Sequence, residues 1–205
     1  MKIATRWFKC FGAVALTFVG VRCPEAEAAL LKLRAVPLSD VIITDSFWLP
    51  RQETNRLVSI PINFENLEKA GNLPDLRLAA KGAREGYQGP VFMDSDLYKA
   101  IEAASYSLAT HPDAALEKKL DNIIATLAAA QQPDGYLNSY FTVKEPGKRW
   151  TNLRDWLELY CAGHMFEAAV AHFQATGKRS FLDVAAKFAD HIDSVFGPPP
   201  KRLGY

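Results

Sequence analysis

Apolar side chains recur at helical spacing through most of the second half of the chain. Between Asp94 and Pro112 they fall at Leu97, Ile101, Ala104 and Leu108, the stripe an amphipathic helix turns toward a core. Asp94, Ser95 and Asp96 stand ahead of that stripe as capping residues, and His111-Pro112 stops it. The stretch from Asp113 repeats the arrangement. Asp113 is its cap, Leu116, Leu120, Ile123 and Leu127 share one face, and the turn tripeptide Pro133-Asp134-Gly135 ends it. A loop rich in aromatic residues, Tyr136 to Trp150, leads to two more helices, Arg154 to Gly177 and Lys178 to Gly197. Upstream the pattern is weaker. Leu33 to Trp48 reads as an extended lead-in, because Pro37 and the run Val41-Ile42-Ile43-Thr44 oppose a helix. Glu53 to Gly71 is weakly helical and interrupted at Pro61, and Gly71 to Pro90 reads as a glycine-rich loop with a short helical piece.

The two strong hairpins resemble one another. Glu102-Ala103-Ala104 recurs 65 residues later as Glu167-Ala168-Ala169, and that offset places Leu116 on Phe181, Leu120 on Ala185, Ile123 on Phe188 and Leu127 on Ile192. A repeated αα unit is one explanation, and chance alignment of any two amphipathic helices is the other. Alanine on both faces suits helices packed on two sides. The pattern therefore fits an all-α fold, a partial toroid of helical hairpins with an extended N-terminal lead-in, better than a free-standing bundle.

The first residues are not expected to join that fold. Lys2, Arg6 and Lys9 make a basic start, Cys10 to Val21 is an apolar run too short to span a bilayer, and Ala26-Glu27-Ala28 is a small-x-small cleavage pattern. Residues 1–28 thus read as a secretory signal peptide, with an exported product, periplasmic or extracellular, free of the membrane after cleavage. Arg22 before Cys23 argues against a lipoprotein. Removing 28 of 205 residues leaves 177, enough for one domain, residues 29–205, and leaves Cys161 as the single cysteine. One cysteine makes neither an internal disulfide nor a multi-cysteine metal site. With 24 basic and 23 acidic residues and no basic block, nucleic acid is not an expected partner.

Candidate chemistry gathers in three places. Glu158, Cys161 and His164 step along one helix at three-residue intervals, and zinc accepts all three side-chain types. Stepping by three drifts about 60° per step around a helix, so they converge poorly on one ion. Cys161 is expected to pack, and His164 to be buried and hydrogen-bonded or to face a cleft. Asp94 and Asp96 read first as a helix cap, with one carboxylate in a groove as the alternative. Tyr136, Asn138, Tyr140 and Phe141 either present a sugar-binding edge or pin the loop to the core. His172 and His191 are expected on the surface. No nucleophile–base pair, phosphate loop or dinucleotide fingerprint is present.

The segments GPVFMDSDLYKAIEAASYSL, AAAQQPDGYLNSYF and DWLELYCAGHMFEAAVAHFQATGKRSFLDVAAKFADHIDSVFGP together resemble glycoside hydrolase family 127, the β-L-arabinofuranosidases, from about Val36 to Gly197. The resemblance implies an (α/α)6 toroid and, in complete members, β-sandwich domains. It also implies a retaining mechanism in which a zinc-bound cysteine thiolate attacks the sugar and a glutamate is the acid/base. Those residues belong to later parts of the toroid, and Cys161 is not their counterpart. The expectation is therefore an N-terminal, truncated portion of such a domain, inactive alone, with zinc only in full-length members. Its partner is an arabinose-containing carbohydrate, and it self-associates through exposed apolar helix faces. Where the family carries a histidine that reaches the sugar, before Glu-Leu-Tyr, this chain has Leu157. Leucine offers no hydrogen bond, and a site built for one loses discrimination on the order of 10⁴-fold without it. The candidate cleft wall is Asp94, Asp96, Tyr136, Leu157, Glu158 and His164. A non-catalytic carbohydrate-binding or scaffolding αα-repeat protein is the alternative.

Overall fold

The computed structural model describes residues 35–202, and the predicted signal peptide lies outside the described residues. Asp45 ends the lead-in. Its carboxylate accepts the backbone N–H groups of Phe47 and Trp48 at 2.8 and 2.7 Å and so starts α1, Trp48–Thr54. The backbone stays helical through one wide π turn, Asn55–Ser59, into α2, Ile60–Ala70. Pro61 does not interrupt the helix as expected. It has no N–H to give the Leu57 carbonyl, and the wide turn just before it relieves the crowding that its ring would cause.

Gly71, at φ +106°, turns the chain from α2 into α3, Asn72–Ala80. The expected loop is thus opened by a nine-residue helix. Pro74 lies in its first turn, where no helical N–H bond is required, so it reads as a breaker in the sequence without being one. Leu73, Leu76 and Ala79 are its buried stripe. Asn72 donates to the Met93 carbonyl at 2.6 Å, and Asp75 accepts the Gln88 N–H at 3.0 Å, which ties the following loop back to α3.

The two predicted hairpins are present. The first is α4, Met93–Thr110, with α5, Ala114–Ala130; a short helix α6, Ser139–Val143, follows; the second hairpin is α7, Glu158–Thr176, with α8, Ser180–Val195. Helix α7 begins 65 residues after α4, as the repeat requires. Asp113 caps α5 as expected, accepting the N–H groups of Ala115 and Leu116. Helix α7 starts at Glu158 rather than near Arg154, because Asn152 accepts the Asp155 N–H and closes a local turn instead.

Helices α4 and α7 form the central pair. Cys161 near the start of α7 approaches the Phe92 carbonyl just before α4, and Glu102 further along α4 lies beside His164 and Glu167 further along α7, so the two run parallel. Ala104, Ala162, Ala168 and Ala169 are buried and let neighbouring helices approach closely. Helices α2 and α3 pack on α4, α3 also packs on α5 and α6, and α8 packs on α5 and α7. Leu97, Ile101, Leu120, Ile124, Leu127, Met165, Phe181 and Phe188 fill the core, each at most 2% exposed. All described elements are helical apart from one isolated bridge between Phe196 and Arg202.

Candidate functional site

Asp94, Tyr136, Leu157 and Glu158 gather at the N-terminal end of the α4–α7 pair. Glu158 is buried at the first position of α7. Its Oε1 accepts the Tyr136 hydroxyl at 2.5 Å, and its Oε2 accepts the Trp150 backbone N–H at 2.7 Å. Burial raises the Glu158 pKa, while the bonds from Tyr136 and Trp150 and the Arg149 and Arg202 guanidiniums pull it down.

The loop that delivers Trp150 to Glu158 is strained at both ends. Trp150 (φ 60°) and Leu157 (φ 54°) are the two described residues other than glycine with left-handed backbone. That conformation costs a leucine about 1–2 kcal/mol. The Trp150 ring packs edge-on against Tyr136 and Phe196 and stacks on His191, which holds the strained turn in place. Arg202 also donates to the Trp150 carbonyl at 2.8 Å.

Asp94 does not cap its own helix, as the sequence suggested. It is buried, and its two oxygens accept the backbone N–H and the hydroxyl of Ser139. It therefore caps α6 from across the fold, and Asn138 adds the local cap by accepting the Phe141 N–H. Burial pushes the Asp94 carboxyl up to about 6, against the pull of the Ser139 bonds. Asp96 points away from this cluster and pairs with Lys99 at 3.6 Å. Tyr136, Asn138 and Phe141 are buried, which pins the aromatic loop to the core, and Tyr140 is half-buried. Leu157 is half-buried.

His164 stands apart from this cluster. It lies six residues along α7 from Glu158, about 9 Å down the axis, against the Tyr160 ring edge and 3.5 Å from Glu167. Of the two histidines expected on the surface, His172 is buried and His191 is half-buried. The ring of His172 is fully buried, with neither nitrogen hydrogen-bonded among the described residues, and burial lowers its pKa. In His191, Nε2 accepts the Trp150 indole N–H at 3.3 Å and Nδ1 donates to the Asp134 carbonyl at 2.9 Å. Trp150 and His191 were missed as site residues because their partners lie 41 residues apart. The one available signal was a tryptophan beside a turn sequence.

Cys161 is buried, and burial together with the Asp94 charge pushes its thiol up to about 12. A thiol held protonated at neutral pH suits neither a nucleophile nor a metal ligand. Cys161 is the one cysteine among the described residues, so they do not fit the thiolate–zinc centre that the resemblance implies.

Two groups here carry opposite pH linkage. Asp94 binds its proton at about 6 when folded, against 3.8 as a free carboxyl. The folded state therefore takes the proton first, and its stability rises as pH falls through that window. His172 has a folded pKa below its ordinary 6.5. Its contribution is complete above 6.5 and is lost as pH falls through the lowered value. Melting curves from about pH 7.5 to 4.5 should show wild type gaining on Asp94→Asn as pH falls, and losing to His172→Leu over the same interval. Parallel curves for the three proteins would contradict both assignments.

Repeated helical hairpins, with every described element helical, define a partial (α/α)6 toroid. The family model for the β-L-arabinofuranosidase GH127 catalytic domain matches residues 40–203, and the chain belongs to that family. A non-reducing end β-L-arabinofuranosidase from Bifidobacterium longum subsp. longum is 35% identical over 187 residues, covering 80% of this chain and 28% of that protein. The crystal structure of Ara127N-Se, a GH127 β-L-arabinofuranosidase from Geobacillus stearothermophilus T6, superposes with a TM-score of 0.77 at 48% identity. It covers 80% of this chain and 27% of that one. The GH127 β-arabinofuranosidase BT3674 gives 0.79 at 42% identity, covering 83% and 28%. The chain thus spans just over a quarter of the length of these relatives.

Proposed function

We propose that this chain forms one wall of the sugar cleft in the N-terminal part of an exported glycoside hydrolase that releases β-L-arabinofuranosyl units from arabinose-containing glycans. The observation that carries the reading is the left-handed Leu157, locked by the Glu158 bonds immediately behind it. Leucine gains nothing from that backbone. Histidine is several-fold enriched there, and the family resemblance puts a sugar-reaching histidine at this position. In this reading Leu157 faces the sugar, Asp96 lies at the rim, Asp94, Tyr136 and Glu158 brace the wall from behind, and His164 lies deeper. Nucleophile, acid/base and zinc are supplied by other parts of complete relatives, and this chain alone is inactive. The basic start, apolar run and Ala26-Glu27-Ala28 support export, which N-terminal sequencing of secreted protein beginning after Ala28 checks. Tyr106, Tyr160, Val170 and Phe173 are exposed along α4 and α7 and support self-association when that face is uncovered, which sedimentation reads.

Leu157→His tests the wall directly. One regained hydrogen bond strengthens arabinose binding by about 2- to 10-fold, read by calorimetric titration of the 205-residue chain. The same substitution leaves the melting temperature unchanged or higher. Equal affinities in the two proteins, or release of L-arabinose from a chromogenic β-L-arabinofuranoside by the wild-type chain, would overturn the proposal.

A further inference from the structure

The internal repeat has a consequence separate from the sugar wall. Because α4 and α7 are equivalent helices running parallel, Glu102 and Glu167 occupy matching repeat positions and arrive on the same side of the pair. His164 lies one turn before Glu167. One donor atom from each of Glu102, His164 and Glu167 lies within 4.8 Å of the other two. We propose that these three side chains form a binding site for a divalent transition cation of the zinc type, in the groove between α4 and α7.

Three observations carry the assignment. The first is spacing. His164 Nδ1 and Glu167 Oε2 are 3.5 Å apart. Two donors bonded at about 2.0–2.1 Å to one tetrahedral ion stand about 3.4 Å apart, so this pair is set at ligand separation. The second is the unused nitrogen. His164 Nδ1 is shielded from solvent and has no hydrogen-bond partner among the described residues. A buried polar atom left this way is costly unless something binds it. The third is charge. Neither Glu102 nor Glu167 is paired with a lysine or arginine among the described residues, and Lys99, three residues before Glu102, is engaged by Tyr160 and Asp96. Two carboxylates beside one imidazole form a hard-to-borderline donor set that selects zinc, manganese or iron over calcium.

The surroundings suit this use. The Tyr106 hydroxyl donates to Glu102 Oε1 at 2.9 Å, orienting the carboxylate and leaving its other oxygen free, the part an outer partner plays around a metal ligand. The Tyr160 ring edge fixes the imidazole at 4.6 Å. Glu167 is exposed, so an ion reaches the groove from solvent, and a fourth position stays open to water. Cys161 takes no part, which separates this site from any thiolate–zinc chemistry.

The test is zinc titration of the chelator-stripped 205-residue protein, with cobalt as a spectroscopic stand-in. Saturable binding of one ion per chain is expected, with a zinc-dependent rise in melting temperature. His164→Gln, Glu102→Gln and Glu167→Gln each weaken binding by more than about 100-fold, and Tyr106→Phe weakens it by about 10-fold. Cys161→Ser leaves it unchanged, and the cobalt spectrum lacks a thiolate charge-transfer band. Apart from the buried Cys161, the substituted side chains are partly or fully exposed, and melting in chelator confirms that each variant is folded. Absence of saturable binding in wild type, affinities within about threefold across the ligand variants, or a thiolate band would each overturn the site.

Discussion

Glu158→Ala destabilises the protein by about 3–5 kcal/mol, which lowers the melting temperature by roughly 10 °C or more. Two donors lose their acceptor in a closed interior, the Tyr136 hydroxyl and the Trp150 N–H. Each orphaned group costs about 1–3 kcal/mol. The Trp150 bond also holds a left-handed residue, so its loss releases strain that the loop then relieves by moving. Glu158→Gln keeps one acceptor but faces the second donor with an amide N–H, and about half the loss is expected. Tyr136→Phe removes one orphan, so its combination with Glu158→Ala costs less than the sum of the two single changes. Chemical denaturation of the four variants measures this. A Glu158→Ala protein within about 1 kcal/mol of wild type would show that the bonds at the head of α7 hold nothing together.

The helices of the second half were legible because their stripes and punctuation agree. Leu97, Ile101, Ala104 and Leu108 lie on the buried face of α4, and Asp113 caps α5. The repeat was legible for the same reason, since equal offsets in sequence become equivalent helices in space. The segment from Gly71 to Pro90 was less so. Gly71 and Pro74 are breakers in a helix interior, yet one ends α2 and the other occupies the first turn of α3. Local rules judge a residue type before its place in the element is known.

Side-chain roles were hardest to read where the partner is distant. Asp94 has the composition of a local cap and acts as a remote one, 45 residues from Ser139. His172 and His191 sit on helix faces whose neighbours come from elements the sequence does not join to them. Glu158 and Cys161 share a three-residue step, but one is a hydrogen-bonded hub and the other a packed thiol. The third member, His164, meets Glu102 only because two helices run parallel.

Gly135→Ala costs about 3 kcal/mol, through the α8 backbone rather than through the turn alone. Gly135 has φ +86°, and a Cβ there would lie 2.4 Å from the Lys187 carbonyl oxygen and 3.3 Å from the His191 Cβ. The obstacle is mid-helix main chain, so no rotamer change removes it. Helix α8 or the turn must move, and both are tethered. Gln131 donates to the Gly135 and Val184 carbonyls at 2.9 Å each, and Gln132 donates its N–H to the Tyr136 carbonyl at 2.8 Å. A displaced turn drags Tyr136 from Glu158, so Gly135→Ala and Tyr136→Phe should combine for less than their sum. Gly177→Ala separates the two causes. Its φ is +72° with nothing within 4 Å of the added methyl, so only the conformational cost of about 1 kcal/mol remains. Equal losses at positions 135 and 177 would mean that the close approach of the turn to α8 adds no constraint on the end of the helices that forms the site.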